Sequence, residues 1–202
     1  MTKTGETNAD RRVKKSKNAL KNALITLMDH KDFKNITITN IVELADVNRG
    51  TFYRHYQYKE DLLEDLSNDV LTDLVWAYRF PYVHLETFDV STLTAKSIKI
   101  FEHVQRHARF YKLIFSSDYL YEYQLRIYQT LKNVSKVDFN HSLTDPKINR
   151  NLQISYQANA IIGMIMEWIQ EDFCYPSDYM AEQLLAFINS THSSSSKIKI
   201  LS

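Results

Sequence analysis

Cysteine occurs once in the 202 residues, which excludes an internal disulfide and any cysteine-based zinc cluster. A lone thiol is compatible with a reducing compartment. Glycine and proline occur three times each, too few for a set of glycine-rich loops, a collagen repeat or a low-complexity chain. Scarcity of both helix breakers favours a mostly helical protein. No run approaches the roughly 20 apolar residues of a membrane span. The first 30 residues do not read as a signal peptide, so the cytoplasm is the expected location and no membrane partner is expected. Neither a phosphate-cradling glycine loop nor a Gly-x-Ser-x-Gly elbow is present. No enzyme is expected, and no catalytic residue, cofactor or metal is assigned. His103 and His107 stand four apart and share a helix face, but two ligands do not make a site.

The charge that is present is unevenly placed. Residues 1–60 carry 12 Lys or Arg against 7 Asp or Glu, net +5, whereas the remainder carries 13 against 17, net −4. A basic head on an acidic body suggests that the head alone meets a polyanion.

Hydrophobic periodicity divides the chain into helices. An amphipathic helix is expected over 11–29, with Leu20, Ala23, Leu24 and Leu27 as its apolar stripe and Lys14, Lys17 and Lys21 elsewhere on its surface. Thr37 suits the cap of a short helix running to Leu44, and Asn48 caps another ending near His55 or Tyr56. Ala45-Asp46-Val47 makes the tight turn between them. Leu62, Leu66, Val70 and Leu74 recur every four residues in a longer helix over 59–79, with Pro81 as its stop. Further helices are expected over 90–107, 109–115, 118–136, 149–172 and 177–189, with a polar connector over 137–148 and flexible ends at 1–10 and 193–196. The fold class is therefore all-α. Two short helices behind a longer one make a helix-turn-helix candidate, in which the second helix enters the major groove.

Residues 41–63, read from Ile41 through Ala45-Asp46-Val47-Asn48-Arg49-Gly50-Thr51-Phe52-Tyr53-Arg54-His55-Tyr56 to Lys59 and Leu62, carry a resemblance. The stretch resembles the DNA-binding domain of the TetR family of bacterial transcription regulators, whose pattern runs Ile-Ala-x-x-Ala-Gly-Val-Ser-x-Gly-x-x-Tyr-x-His-Phe-x-x-Lys-x-x-Leu. Ile41, Ala45, Val47, Gly50, Tyr53, His55, Lys59 and Leu62 match it. Tyr56 stands at the aromatic position and Asn48 at the serine cap. Asp46 replaces the turn glycine and Val42 a small alanine; Asp tolerates turn conformations better than most residues. The resemblance covers about residues 10–65.

The resemblance implies phosphate contacts at Tyr53, His55 and Lys59. Arg49, Thr51 and Arg54 have the chemistry to reach base edges or phosphates. Thr37 and Thr39 offer hydroxyls, with Thr37 equally suited to capping, and Asn48 completes the candidate DNA-binding set. Gly50 suits a close approach to a partner helix or to the phosphate backbone. Phe52 and Tyr56 read as core, and a packed or capping role for His55 stays open.

Family likeness further implies a homodimer on double-stranded operator DNA, with residues 1–60 as the DNA-binding domain. Residues 61–202 would form a dimerisation and effector domain. Ile161, Ile165 and Trp168, with Leu184, Phe187 and Ile188, are the candidate dimer seam. Tyr78, Phe101, Tyr111, Phe115, Tyr119 and Tyr123 are the candidate lining of a small-molecule pocket, since aromatics combine apolar walls with polar handles. Gly163-Met164-Ile165-Met166-Glu167-Trp168-Ile169 is similar to the C-terminal region of the branch that contains an activator of dihydroxyacetone-kinase genes. The expected function is a repressor released by an effector, the alternative a co-regulator acting through a protein partner.

Overall fold

A computed structural model describes residues 8–86, 88–117, 120–138 and 147–191. Of the flexible ends expected at residues 1–10 and 193–196, residues 1–7 and 193–196 lie outside the described residues, as does most of the 137–148 connector, whereas residues 8–10 open the first helix. Among the described residues the chain is all-α, as its composition predicts. The helices are α1 (Asn8–Met28), α2 (Ile38–Leu44), α3 (Arg49–His55), α4 (Lys59–Arg79), α5 (Ile100–Arg106), α6 (Ala108–Phe115), α7 (Tyr121–Asp138), α8 (Arg150–Gln170) and α9 (Ser177–Thr191). None of them is long and apolar enough to cross a membrane.

The short helices owe their limits to local chemistry. Seven residues do not hold a helix in water on propensity alone. The hydroxyl of Thr37 accepts from the Asn40 amide, and the Asn40 side chain accepts in return from Thr37, closing both ends of a capping box on α2. The same helix stops where Asp46 takes φ 52°, the left-handed region. There the Val47 amide donates to the Val42 carbonyl (3.0 Å) and the Asp46 amide to Glu43 (3.2 Å), the bonding of a left-handed C-terminal cap. The usual turn glycine is thus replaced without loss of the turn.

One expected helix is mostly absent. Residues 90–99 are not α-helical; short 3-10 turns at Val90–Thr92 and Ala95–Ser97 precede α5. Asp89 accepts from the Ser91 amide, Thr92 Oγ1 donates back to the Asp89 carbonyl, and Ser97 Oγ donates to the Thr94 carbonyl. These side-chain bonds compete with the helical ladder and divert the backbone into turns.

Two ends of one continuous core meet on α4. Leu20 and Leu24 of α1, Ile41, Phe52, Leu62 and Leu63 close the head, and Phe101, Tyr111, Ile114, Leu131, Ile165 and Trp168 close the body. The domain limit expected at residue 60 falls on the second residue of α4, a helix about 31 Å long that serves both ends. At its far end Arg79 forks onto Asp138 of α7 (2.7 and 2.8 Å), and Tyr82 donates to the same carboxylate (2.9 Å).

Position 46 tests the turn. A β-branched residue in the left-handed region costs about 1–2 kcal/mol, whereas glycine is at ease there. Asp46→Val is expected to lower the denaturation midpoint, and Asp46→Gly to keep or raise it. A valine variant more stable than the glycine variant would refute the turn's role.

Candidate nucleic-acid interface

The two-sidedness of α3 follows from its sequence. Phe52 is fully buried and Tyr56 nearly so, which pins one face of the helix to the head core. Arg49, Gly50, Tyr53 and Arg54 occupy the other face and are all exposed. Asn48 Oδ1 accepts from both the amide (2.8 Å) and the hydroxyl (3.0 Å) of Thr51, so these two candidates form the cap of the helix as well as its leading edge. A Cβ at Gly50 would meet Asn48 Oδ1 at 3.3 Å and no helix partner, which corrects the partner-helix reading of that glycine. Arg49 lies over the Tyr53 ring (5.6 Å to the centroid) and donates to its hydroxyl (3.1 Å). Thr37 is spent on its cap, while Thr39 stands exposed on α2.

Behind this face lies a charged network that single-residue reading misses. Lys21, expected on the surface, is only 7% exposed. Its ammonium pairs with Asp65 (2.9 Å) and Asp69 (2.6 Å) of α4. Lys17 reaches the same Asp65 oxygen at 2.9 Å, and the Tyr56 hydroxyl donates to it at 2.6 Å. Burial alone would raise the Asp65 carboxyl; the hydrogen bonds from Tyr56, Lys21 and Lys17 outweigh it and hold the group well below the usual carboxylate range. Burial and the bond to Asp65 push the Tyr56 phenol up.

His55 and Lys59 also face inward. His55 Nε2 lies 3.1 Å from Ser16 Oγ of α1; partial burial, with Lys17 and Arg54 nearby, lowers its pKa. Lys59 Nζ donates to the carbonyls of Phe33 (2.7 Å), Lys34 (3.1 Å) and Ile36 (2.8 Å) and sits 4.7 Å from the centre of the Phe33 ring. Its three donors are committed to the turn between α1 and α2. Arg11, Arg12, Lys14 and Lys15 form an exposed basic run on the first turns of α1, a cluster legible in the sequence but absent from the candidate set.

Among the described residues, Phe115 is the one candidate pocket residue that lines either of two open grooves on the body. Phe101 and Tyr111 are fully buried, Phe101 edge-on to Trp168 and Tyr111 bonded through its hydroxyl to His103 Nε2 (2.9 Å). Tyr78 is bonded to Ser135 (2.6 Å), Phe115 stacks on Tyr111, and Tyr123 lies beside Arg126. Tyr119 falls outside the described residues. An open groove of about 290 Å³ involves Phe115 with Lys112, Met166 and Ile169. A broader one of about 480 Å³ runs between α4 and α7, past Leu71, Val75, Arg126 and Asn133.

The candidate seam divides in two. Ile165 and Trp168 are 0% and 1% exposed, and Ile161 and Leu184 are also buried, so these four belong to the chain's own core. Ile165 and Trp168, already closed off, have almost no apolar surface left to give a second copy. On α9 Ile188 is half-buried and Phe187 is 55% exposed; on the outer side of α8 Tyr156 (67%), Gly163 and Met166 are exposed.

Residues 21–66 match the family model for bacterial regulatory proteins of the tetR family, and residues 91–190 match that for a transcriptional regulator C-terminal region. A curated Bacillus subtilis (strain 168) protein, the uncharacterized HTH-type transcriptional regulator YxbF, is 22% identical over 170 residues, 84% of this chain and 44% of that protein. The chain thus spans less than half the length of that relative. Among solved structures, a TetR transcriptional regulator from Streptococcus agalactiae 2603V superposes with a TM-score of 0.61 at 22% identity, covering 89% of this chain and 97% of the other. The dihydroxyacetone kinase operon activator DhaS superposes at 0.61 with 17% identity over 87% and 95% of the two chains. At these identities the likeness is one of fold.

The Asp65 network has a pH signature. A carboxylate whose folded pKa is depressed contributes fully above its unfolded value of about 3.9, and that contribution is lost as the pH falls through the folded value. Asp65→Asn is expected to cost about 1–3 kcal/mol near neutrality. Its deficit against the parent protein should narrow below about pH 4. Denaturant melts across the acid range check this; a deficit constant with pH would assign the loss to packing.

Proposed function

We propose, because this chain belongs to the TetR family of bacterial transcription regulators, that it binds operator DNA sequence-specifically as a homodimer, with α3 in the major groove. The observation that carries this reading is the outer face of α3, where Arg49, Gly50, Tyr53 and Arg54 are exposed together without an acidic side chain among them. Guanidinium groups there suit base edges and phosphates, and the small Gly50 allows close backbone approach. Thr39, the Thr37 and Asn48 caps, Thr51 and the basic run of α1 flank that face. Lys59 and His55 serve it from behind, the first by holding the turn at 33–36, the second by meeting α1.

A homodimer follows from the need to match two half-sites about one helical turn, ~34–36 Å, or a multiple of it apart. The seam we assign is the outer face of α8 and α9, through Tyr156, Gly163, Met166 and Phe187. A Cβ at Gly163 would meet nothing within 4 Å in the single chain, which leaves room for a close helix partner. Repression relieved by a small molecule is the finer part of the proposal. The groove between α4 and α7 supports it, because a ligand there touches the helix that carries the head. Kinship with the dihydroxyacetone-kinase activator branch rests on the 163–169 segment.

Two measurements test the reading. In mobility shifts on DNA flanking the protein's own gene, Arg54→Ala is expected to weaken the specific complex by about 1–3 kcal/mol if it reads a base. An equal loss on every sequence, with a salt slope reduced by about 1, marks a phosphate contact instead. Failure of the parent protein to shift any flanking DNA would favour control through a protein partner.

For the seam, sedimentation of Tyr156→Glu/Phe187→Glu is expected to show folded monomers. Ile165→Glu should lose helical signal rather than merely dissociate, because it buries an unpaired charge. A folded parent protein that sediments as a monomer at micromolar concentration removes the dimer.

A further inference from the structure

The pair of histidines four residues apart acquires a third member from another helix. His103 lies on α5 and His107 at the corner between α5 and α6, and their rings stand 4.8 Å apart between centroids. Asp73 of α4 faces them, with Oδ2 3.2 Å from His107 Nε2. One ligand atom from each of the three lies within 4.8 Å of the others. We propose that Asp73, His103 and His107 bind one borderline divalent cation per chain, with Zn²⁺ as the type.

A second observation points the same way. His103 is 0% exposed, and its Nε2 is bonded to the Tyr111 hydroxyl at 2.9 Å. Its Nδ1 is buried and has no hydrogen-bond partner among the described residues. Buried polar atoms are nearly always paired, so a buried imidazole with one orphaned nitrogen, its ring beside a second histidine, is an unusual arrangement. A metal on Nδ1 would use that lone pair, while Nε2–H donated to Tyr111 would fix the tautomer and orient the ring, as outer partners of ligating histidines do.

The geometry and the donor set agree. Ligands about 2.0–2.1 Å from a tetrahedral Zn²⁺ stand roughly 3.3 Å apart, close to the His107–Asp73 separation. The wider separations close by rotation of Asp73 and His107, both partly exposed, which also gives an ion its way in. Arg106 Nη1 lies 3.6 Å from the same Asp73 oxygen; its side chain is mostly exposed and can turn away to solvent. Two imidazoles and one carboxylate favour Zn²⁺, Co²⁺ or Ni²⁺ over Mg²⁺ and Ca²⁺, which prefer all-oxygen shells. A fourth position remains for water. An ion held there fastens α4 to the α5–α6 corner, and this inference stands independently of the DNA-binding reading.

The test uses the full chain, freed of metal with a chelator and titrated with Co²⁺. One Co²⁺ per chain is expected, with the visible bands of a low-coordinate site, displaced by Zn²⁺. His107→Ala and Asp73→Asn are expected to weaken binding by about 100-fold with helical content retained, and Tyr111→Phe by about 10-fold. His30→Ala, on the surface, should change nothing. A measurement on the parent protein covers the case of a variant that fails to fold. In long-range ¹H–¹⁵N spectra, one equivalent of Zn²⁺ should move the ring signals of two of the seven histidines. Absence of saturable Co²⁺ binding, undiminished binding in folded His107→Ala and Asp73→Asn, or unmoved ring signals would overturn the proposal.

Discussion

The head is organised around one carboxylate. Asp65 of α4 receives the Tyr56 hydroxyl at the end of α3 and the ammonium groups of Lys17 and Lys21 from α1. A lysine as deeply buried as Lys21 is tolerated only when paired, so the register of α1 against α4 has little freedom. Tyr56 draws the C-terminal end of α3 to the same oxygen, and Lys59 draws the turn before α2 to the first residue of α4. The outward aim of Arg49 and Arg54 is therefore settled by groups that themselves face inward. Apolar packing of Phe52 and the leucines supplies burial, but it is less directional than these bonds.

Much of the fold was legible because it is written locally. Thr37 and Asn48 announce helix starts by their chemistry, Asp46 tolerates the turn that glycine usually makes, and the four-residue recurrence of Leu62, Leu66, Val70 and Leu74 marks α4. The stretch before α5 departs from the helix that its apolar spacing suggests because Ser and Thr hydroxyls capture the backbone. Charged residues were the least legible. Lys21 looks like solvated surface until α4 is folded against it, Lys59 looks like a phosphate contact until the 33–36 turn takes up its ammonium, and Asp73 joins His103 and His107 only across helices. Such pairings arise from tertiary geometry, which residue spacing does not encode.

In the body, periodicity identified apolar faces but not what covers them. Ile165 and Trp168 point into the core of their own chain, where Trp168 meets Phe101 and Phe173 and its indole N–H donates to the Tyr175 carbonyl at 3.0 Å. Tyr156 and Phe187 have no such enclosure. A helix with apolar groups on opposite sides can serve a core and an interface at once, and α8 has that character.

The placement of Arg49 over Tyr53 bears on the thermodynamics of the proposed DNA complex. A free arginine sweeps many rotamers and surrenders them when it docks. Here the ring and its hydroxyl already confine the guanidinium before any polyanion arrives. Part of the ordering loss has therefore been incurred during folding, and complex formation is correspondingly less penalised in entropy. The same confinement narrows the directions in which the planar fork can donate, so a misplaced acceptor goes unanswered rather than being followed by a flexible side chain.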